Sequence, residues 1–291
     1  MNSQLPGWGE NELYPVDKIR LGLRTRFVGQ NICYWPAVGS TNDELKRLAD
    51  EGAPEGTLAI ADEQVAGRGR LDRTWIAPAG SSLLMSLLFR PTFLAPTRAQ
   101  QLTMVCSLAI ADAVNQVTGL RPALKWPNDL LLEDKKLAGV LTESCLALTS
   151  AASAGREVGS GRDDALAWVI VGVGLNVNVD FTGESLLRRW PDLASTATSL
   201  SMVLGRPVSR LQLLQSYLVA VETRYNALRS GISPHPEWAA RLATLGRWVR
   251  VNAPDGIYSG IAEAVDEAGA LLLREADGQL RRILAGDVTL R

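Results

Sequence analysis

Apolar residues along the chain fall into blocks of two different periods, and these blocks predict the main elements. Short apolar runs predict buried strands at "GTLAIADEQ" (56–64), "SSLLMSLLFRP" (81–91) and "WVIVGVGLNVNV" (168–179). The stretch "AQQLTMVCSLAIADAVNQVTG" (99–119) is apolar on most sides of a helix, which predicts a long buried helix. "RLQLLQSYLVAVETRYNALRSG" (210–231) predicts an amphipathic helix that stops at a glycine.

Helix-end signals and turn residues place further elements. In "STNDELKRLADEG" (40–52) a Ser or Thr cap is followed by an acidic residue that can complete a capping box, and the closing glycine ends the predicted helix. "ALKWPNDLLLEDKKLAGVLTES" (123–144) predicts strand, proline turn, strand, charged hairpin and strand. "LYPVDKIRLGLRT" (13–25) predicts one short helix, and the small, polar residues 147–167 predict a flexible surface loop.

The pattern changes near residue 245. From there, short alternating strands are separated by turns at "PDG", "EAG" and "ADG", which is typical of a small β-barrel. A chain of 291 residues suggests about two domains. We therefore expect an N-terminal extension (1–30), a main domain (31–245) and a C-terminal barrel (246–291).

The charge balance and the cysteines narrow the class of protein. With Lys+Arg 30 against Asp+Glu 31 the net charge is −1, which argues against a dedicated nucleic-acid binder. Three separated cysteines without a CxxC pair favour buried, reduced thiols. The polar N-terminus lacks the apolar core of a signal peptide, and no apolar run reaches the length of a membrane span. We expect a cytoplasmic protein that binds neither nucleic acid nor membrane.

An arginine-rich stretch, "DEQVAGRGRLDRTW" (62–75), follows the first predicted strand. Glycines let successive backbone N–H groups face an anion, and Arg68 and Arg70 add bidentate donors for phosphate or carboxylate. We expect Arg73 only to solvate the loop. The alternative, an exposed basic loop without a ligand, has about equal weight from this stretch alone.

Four other motifs have both a ligand-binding and a structural interpretation. "KWPND" (125–129) offers a Lys, a flat Trp wall and polar turn residues, yet it also fits a turn that ends a strand at a core Trp. In "DKKLAGVL", alternation puts Lys136 with Ala138 and Val140 on one face, so at most one of Lys135 and Lys136 points inward. Asn176 and Asn178 of "GVGLNVN" can bond a neighbouring loop or line a pocket, and "STN" (40–42) can cap a helix or bind a ligand.

The order of these motifs is more specific than any one of them. "STN", "Q..GRGR...W", "S..MS", "KWPND", "KLAGVL.E", "GVGLNVN" and a terminal barrel ending in "GDVTLR" follow one another along residues 31–291. This series resembles the biotin protein ligases, also called biotin–[acetyl-CoA-carboxylase] ligases. About 30 residues precede the first motif, so we expect the form without the N-terminal DNA-binding domain that many relatives carry, and no repressor role.

The resemblance implies a fold, a reaction and a set of site residues. The implied fold is α+β, with a central mixed sheet flanked by helices, as in class II synthetases and biotin/lipoate ligases, and a small C-terminal SH3-like barrel. The implied enzyme is ATP-dependent: it converts biotin to biotinyl-5′-AMP and transfers biotin to a lysine of a biotin carboxyl carrier protein. Relatives include monomers and homodimers paired through the central sheet. The implied biotin and biotinyl-adenylate contacts are Ser40, Thr41, Asn42, Gln64, Arg68, Gly69, Arg70 and Lys136. The further cofactor-binding candidates are Gly67, Trp75, Lys125, Trp126, Asn128, Gly139 and Asn176.

The reaction itself suggests roles for four of these side chains and for the arginine loop. Joining two anions needs charge neutralisation, for which Arg68, Arg70 and Lys136 are suited, with Mg²⁺ on the phosphates. We predict that Lys136 bridges the biotin carboxylate and the α-phosphate, and that Asp129 accepts a proton from the acceptor lysine or aligns it. No protein ligand for a metal is predicted. The loop at 66–74, with Gly67 and Gly69 as pivots, is predicted to close over the adenylate.

Two rival interpretations stay open at this point. A lipoate–protein ligase or octanoyltransferase shares the general fold, but the transferase needs a nucleophilic Cys, and Cys145 has no obvious activating partner in the sequence. A nucleic-acid or scaffold protein could use the arginine stretch and the barrel, but the charge balance disfavours it.

Overall fold

The structure is a computed structural model that describes residues 16–71, 73–147 and 165–290. Most of the N-terminal extension and nearly all of the loop predicted at 147–167 lie outside the described residues. The helices are α1 (Val16–Gly22), α2 (Thr41–Asp50), α3 (Gln100–Thr118), α4 (Glu184–Arg189), α5 (Leu193–Thr196), α6 (Leu200–Leu204), α7 (Arg210–Arg229) and α8 (His235–Ala240). The strands of the main sheet are β1 (Ile32–Val38), β2 (Leu58–Gln64), β3 (Ser82–Phe89), β4 (Ala123–Lys125), β5 (Asp129–Leu132), β6 (Lys135–Leu146) and β7 (Leu166–Asn176).

The main sheet has the strand order β1-β2-β3-β7-β6-β5-β4. β1 and β2 run parallel, whereas every other neighbouring pair is antiparallel. This confirms the predicted central mixed sheet. Strand β1 was not among the predicted elements, because its "ICYWPAV" lacks a regular alternation and contains a proline, which strands tolerate mainly at an edge.

Both faces of the sheet are covered, which explains the continuous apolar runs in its central strands. All eight residues of β3 are buried. One face packs against α3 and α7, and the largest core of the molecule lies there. Because α3 is enclosed between the sheet and α7, its apolar residues are buried around most of its circumference, as predicted, and it ends at Gly119 in a left-handed conformation.

The opposite face is covered over its middle by α2, a helix of 10 residues, and the short helix α5 contacts β6. Helix α2 covers Ala59, Leu88 and Ile170, which form a small second core with Leu45 and Ala49 of the helix. A helix as long as α2 spans about 15 Å, so α2 leaves the ends of β6 and β7 on this face uncovered.

One predicted detail of α2 is wrong. Ser40 occupies the N-cap position, but within the described part of the chain its side chain accepts no capping hydrogen bond. The predicted capping box is therefore not formed. The buried N-terminus of the helix instead presents its polar groups to a side chain of β2, as described below.

The C-terminal strands are β8 (Trp248–Ala253), β9 (Gly256–Val265), β10 (Leu271–Glu275), β11 (Leu280–Ile283) and β12 (Asp287–Leu290). They form a separate antiparallel sheet in the order β11-β10-β9-β8-β12. Two of its turns contain Gly269 and Gly278 with φ near +85°, a region that favours glycine. This five-stranded sheet confirms the predicted C-terminal β-unit.

Trp126 joins this unit to the main sheet. Its backbone N–H donates to Thr244 Oγ1 at 2.9 Å, and its indole Nε1 donates to the carbonyl of Gly269 at 2.8 Å. The side chain is 1% exposed. The C-terminal sheet is thus held against the end of β4 by a buried aromatic anchor.

Candidate active site

A cavity opens on the face of the sheet that α2 leaves uncovered. The N-terminus of α2, strands β6 and β7, and the segment between β2 and β3 form its walls, and β12 of the C-terminal sheet closes one side. Thirteen predicted site residues line this cavity: Ser40, Thr41, Asn42, Gln64, Arg68, Gly69, Arg70, Trp75, Asn128, Asp129, Lys136, Gly139 and Asn176. The tertiary structure therefore brings together side chains that are up to 136 positions apart in the sequence.

Three predicted site residues do not line the cavity: Gly67, Lys125 and Trp126. Trp126 is the buried anchor described above. Lys125 is half-buried next to it, and burial lowers its pKa, against the opposing effect of Asp129 and Asp287. At Gly67 a Cβ would lie 2.8 Å from the Trp75 carbonyl, so this glycine permits a close backbone approach.

The alternating glycines of β7 form part of the cavity floor. Gly172 and Gly174 lie on the same face as α2, while the alternating Val171 and Val173 point into the main core. Two larger side chains use the space that the missing Cβ atoms leave: Asn42 lies against Gly172, and the indole of Trp75 lies against Gly174. The glycines are therefore required by close packing of the site residues rather than by a turn.

A chain of short polar contacts forms one end of the cavity. Gln64 Oε1 accepts from the backbone N–H of Thr41 at 2.7 Å and from its hydroxyl at 3.0 Å. Ser86 Oγ lies 2.8 Å from Thr41 Oγ1 and 2.5 Å from Asn42 Oδ1. Because Thr41, Asn42 and Ser86 are all buried, these bonds hold the polar end in a defined geometry.

Glu143 of β6 closes the chain from outside the cavity. One carboxylate oxygen accepts from Asn42 Nδ2 at 2.7 Å, and the other pairs with Lys46 Nζ at 2.6 Å. Burial alone would raise the pKa of Glu143, but the hydrogen bonds from Lys46 and Asn42 and the charges of Lys46 and Arg68 outweigh it. The pKa is therefore held below its usual value.

The other end of the cavity is cationic. Lys136 Nζ lies 2.8 Å from Asp129 Oδ1 and 5.6 Å from the centre of the Trp75 ring. The indole Nε1 of Trp75 is buried and has no hydrogen-bond partner among the described residues. A buried donor of this kind beside a lysine fits a site that receives an acceptor group from a ligand.

The predicted orientation of β6 is only half right. Lys135 points away from the cavity and donates to the Ala194 carbonyl at 2.9 Å, so only one of the two lysines faces inward. However, Lys136 shares its face with Gly139, not with Ala138 and Val140 as predicted. The pairing of β5 with β6 shifts register between Leu130 and Leu131, which leaves Leu137 as an extra residue. Such a bulge reverses the alternation beyond it.

The arginine stretch folds as a small hairpin. Trp75 N donates to the Gly67 carbonyl at 2.9 Å, and Gly69 N donates to the Arg73 carbonyl at 2.6 Å. The expectation that the glycine N–H groups face an anion is therefore wrong for Gly69, because the hairpin uses its donor. What the loop offers to the cavity is its side chains.

Each arginine of the loop has a different partner. Arg68 forms an ion pair with Asp43 of α2, and its guanidinium also lies 3.6 Å from Glu143 Oε1. Arg70 donates to Asn128 Oδ1 at 3.4 Å, and burial lowers its pKa. Arg73, expected only to solvate the loop, forms an ion pair with Asp287 of β12. The loop thus connects α2, the main sheet and the C-terminal sheet.

The two asparagines of "GVGLNVN" differ in role. Asn178 exchanges two hydrogen bonds with the backbone of Val208, which is the structural interpretation. Asn176 donates to the Thr198 carbonyl at 3.1 Å and lines the cavity, and its Oδ1 is buried without a partner among the described residues. Asn176 therefore has an acceptor available to a ligand.

Sequence reasoning assigned no site role to several lining residues, among them Phe181, Leu193, Ala197 and Asp287. The first three belong to the segment around α4 and α5, whose short helices have no clear periodicity. Asp287 lies in the "GDVTLR" motif, so the motif was visible in the sequence, but nothing local indicated that it reaches a distant cavity.

Taken together, the cavity suits a ligand with a hydrogen-bonding head, an apolar body and an anionic end. Comparison with known families then specifies the class. The sequence model of the biotin/lipoate A/B protein ligase family matches residues 34–159, and that of the biotin protein ligase C-terminal domain matches residues 244–291.

Individual relatives are consistent with both matches. The bifunctional ligase/repressor BirA of Bacillus subtilis (strain 168) is 33% identical over 278 residues, which cover 94% of this chain and 78% of BirA. The biotin–[acetyl-CoA-carboxylase] ligase of Mycobacterium tuberculosis is 32% identical over 260 residues, covering 86% and 85%. The chain therefore belongs to the biotin protein ligase family.

A solved structure agrees with this assignment. The biotin protein ligase from Aquifex aeolicus in complex with biotin and ATP superposes with a TM-score of 0.69 at 27% identity, covering 90% of this chain and 99% of that one. Among the described residues, no helix is both long and apolar enough to cross a membrane, and no group of three or more His, Cys, Asp or Glu could hold a metal ion.

Proposed function

We propose that this protein activates biotin with ATP to biotinyl-5′-AMP and transfers biotin to a lysine of a biotin carboxyl carrier protein. The observation that supports this most directly is a single cavity with a neutral polar chain at one end and Lys136 at the other. The names of the relatives and the biotin and ATP in the Aquifex complex support the same reaction.

Biotin fits the cavity in one direction. Its ureido head needs both donors and acceptors, which Ser40, Thr41, Asn42 and Gln64 offer at the N-terminus of α2. Its apolar ring and chain lie along the floor of the cavity, beside Gly172, Gly174 and the Trp75 ring that packs on Gly174. Its carboxylate then points to Lys136, the cation next to the Trp75 ring.

In the first step, a biotin carboxylate oxygen forms a bond to the α-phosphorus of ATP, and the bond to the leaving pyrophosphate breaks. Two anions must approach, so neutralising charge matters more than moving a proton. Lys136 bridges the carboxylate and the α-phosphate, and Arg70 faces the phosphates. Arg68 forms an ion pair with Asp43, so its guanidinium must separate from that carboxylate before it can stabilise the negative charge of the adenylate.

In the second step, the amine of the acceptor lysine forms a bond to the biotinyl carbonyl carbon, AMP leaves, and the amine loses a proton. Asp129 is the carboxylate in the cavity beside Lys136, with a side chain that is 15% exposed. It accepts the proton or aligns the amine. Neither step needs a protein nucleophile, and Cys145, expected to be buried, is exposed near the far end of β6.

Mg²⁺ belongs to this proposal as the partner of the ATP phosphates. The cavity offers carboxylate oxygens from Asp129 and Asp287, and each already pairs with a cation. This arrangement fits an ion held mainly by phosphates with one or two carboxylates. When bound, Mg²⁺ would neutralise phosphate charge.

The neighbouring lysines provide a matched test. Lys136→Ala should lower adenylate synthesis by at least about 100-fold, since an electrostatic group in the transition state is removed. Lys135→Ala removes the same charge one residue away, and activity should stay within about threefold. The measurement is biotin-dependent exchange of pyrophosphate into ATP, followed by streptavidin detection of a carrier domain. Equal activities of the two variants would contradict the role of Lys136.

A lipoate-type ligase is the second candidate, because the matched family includes both kinds of enzyme. The match to the biotin protein ligase C-terminal domain favours biotin. Exchange of pyrophosphate with lipoate but not with biotin would reverse the assignment. The absence of nucleic-acid binding and the cytoplasmic location stay predictions from charge and cysteine content.

A homodimer through the central sheet also stays part of the proposal. β4, at one edge, forms a bridge to Leu242, whereas β1 at the other edge pairs only with β2 among the described residues. An open edge of this kind can pair with a second chain. Light scattering at increasing concentration, with and without biotin and ATP, would test it.

A further inference from the structure

Within the described part of the chain, the orientation of Asn42 is determined by a residue outside the cavity, Glu143. An amide can be turned by 180° so that its oxygen and nitrogen exchange places, and only its partners decide between the two. Here Nδ2 donates to the Glu143 carboxylate at 2.7 Å and makes only a long contact of 3.5 Å with the Leu141 carbonyl, while Oδ1 faces the Ser86 hydroxyl at 2.5 Å. The short contact to Glu143 is therefore the stronger of the two that orient the amide. An ionised carboxylate only accepts hydrogen bonds, so Nδ2 must point towards it.

This orientation determines the direction of the remaining bonds. Because Asn42 Oδ1 accepts, the single hydroxyl proton of Ser86 is donated to it. The single hydroxyl proton of Thr41 then faces two acceptors, because Thr41 Oγ1 lies 2.8 Å from Ser86 Oγ and 3.0 Å from Gln64 Oε1. Gln64 Oε1 accepts from the Thr41 backbone as well, which leaves the Gln64 amide nitrogen as a donor for a ligand.

We propose that Glu143 is a positioning residue for biotin: it orients Asn42 and thereby sets the donor and acceptor pattern that meets the ureido head. Glu143 does not line the cavity itself, so it acts through Asn42. The inference rests on the proposed function, since it assumes that the ureido group of biotin is what hydrogen-bonds to this polar chain.

A second role of Glu143 has to be separated from this one. Its other oxygen contacts Lys46 and Arg68, and these bonds connect α2, β6 and the arginine loop. Asp43 also pairs with both cations, so they keep a carboxylate partner when Glu143 loses its charge. Glu143→Gln therefore preserves an acceptor for Asn42 and removes only the charge, whereas Glu143→Met removes both.

The test measures biotin affinity by titration calorimetry. Glu143→Met should weaken binding at least tenfold, while Glu143→Gln should stay within about threefold of the unaltered protein. In an Asn42→Ala background, Glu143→Met should have no further effect beyond about twofold, because a residue that acts through Asn42 has nothing left to orient. Glu44→Gln, which alters a partly exposed carboxylate paired with Arg47, is the control.

Three results would overturn the inference. These are unchanged affinity in Glu143→Met, an equal loss in Glu143→Gln, or a full additional loss in the Asn42→Ala background. Glu143→Ala replaces Glu143→Met if circular dichroism shows that the latter is unfolded. If the unaltered protein binds no biotin, the proposed function fails and this inference fails with it. If it binds biotin but any of the three results appears, only the inference fails.

Discussion

At the residue scale, the site depends on glycines as much as on functional side chains, because a glycine leaves room for another residue to pack closely. A Cβ at position 174 would lie 2.6 Å from Trp75 Cζ2, well inside van der Waals contact. The sequence showed two glycines in a strand and indicated close approach at this point. It could not show that the approaching group is a Trp from a loop about 100 residues earlier.

The substitution Gly174→Ala should displace the Trp75 ring. Because that ring is partly exposed, it can move outward, so we expect adenylate synthesis to fall at least tenfold while the fold survives. Gly39→Ala is the control, since a Cβ there meets nothing within 4 Å. Pyrophosphate exchange and thermal unfolding measure the two effects. Full activity in Gly174→Ala would show that the position of Trp75 is unimportant.

Glu143 also gives a prediction about pH. Its folded pKa lies below the usual 4.5, so its ionised form stabilises the folded state. This contribution is present above about pH 4.5 and is lost as the pH falls through the lower folded pKa. The free energy of unfolding of the unaltered protein should therefore exceed that of Glu143→Gln at pH 7, and the gap should shrink as the pH falls below 4.5. Urea unfolding at several pH values measures it, and a gap that widens on acidification would contradict the assignment.

At the element scale, two ion pairs hold the arginine loop against other parts of the fold. Arg68 pairs with α2 and Arg73 pairs with β12, so the hairpin spans the cavity between two separate parts of the fold. The sequence indicated a loop rich in glycine and arginine and predicted that it covers the adenylate. The glycines do not carry unusual φ angles here, so their role as pivots stays a prediction.

We expect Arg68→Ala to weaken this closure. Adenylate synthesis should fall, and biotinyl-AMP should leave the protein faster, because one of the two ionic contacts is lost. Arg47→Ala, which removes an exposed arginine of α2 paired with Glu51, should leave release unchanged. Rapid filtration after adenylate synthesis measures the released fraction.

Hydrogen exchange over residues 66–74, with and without biotin and ATP, tests the loop directly. Slower exchange in the presence of both ligands is expected, because the closed loop buries its backbone amides. Equal exchange in both states, or equal retention of adenylate by Arg68→Ala and the unaltered protein, would contradict the closing role.

The strands show where periodicity stops being informative. β3, β7 and α3 were predicted well because burial on most sides gives continuous apolar runs, and α7 was predicted well because its one buried face gives a helical period. Strict alternation predicted that Lys136 shares a face with Ala138 and Val140. This was wrong, because one extra residue in β6 shifts the alternation. A bulge depends on how a strand pairs with its neighbour, and the sequence of one strand does not record that.

At the scale of the whole molecule, the C-terminal sheet contributes to the site. Asp287 lines the cavity, and Trp126 anchors the unit through Gly269. The domain boundary near residue 245 stays a prediction; buried residues from both sides of it belong to one hydrophobic core cluster.

Removing the indole N–H tests this anchor. Trp126→Phe leaves the buried Gly269 carbonyl without its donor, which should lower the free energy of unfolding by about 1–3 kcal/mol. Trp248→Phe alters a tryptophan that is 42% exposed on the C-terminal sheet, and it should change the free energy of unfolding by less than about 0.5 kcal/mol. Urea unfolding followed by circular dichroism measures both, and similar values would show that Trp126 contributes no more than a surface residue.

The sequence by itself determined the buried strands and helices, the near-neutral charge and the ordered motifs that indicate a biotin ligase. These features depend on neighbouring residues or on sums over the chain, so the linear sequence is enough to predict them. Only the tertiary structure decided that Trp126 lies in the core, that Lys136 and Gly139 share a face, and that Glu143 and Asp287 reach the site. Each of these depends on atoms contributed by distant segments, because burial, register and charge pairing are properties of the folded neighbourhood.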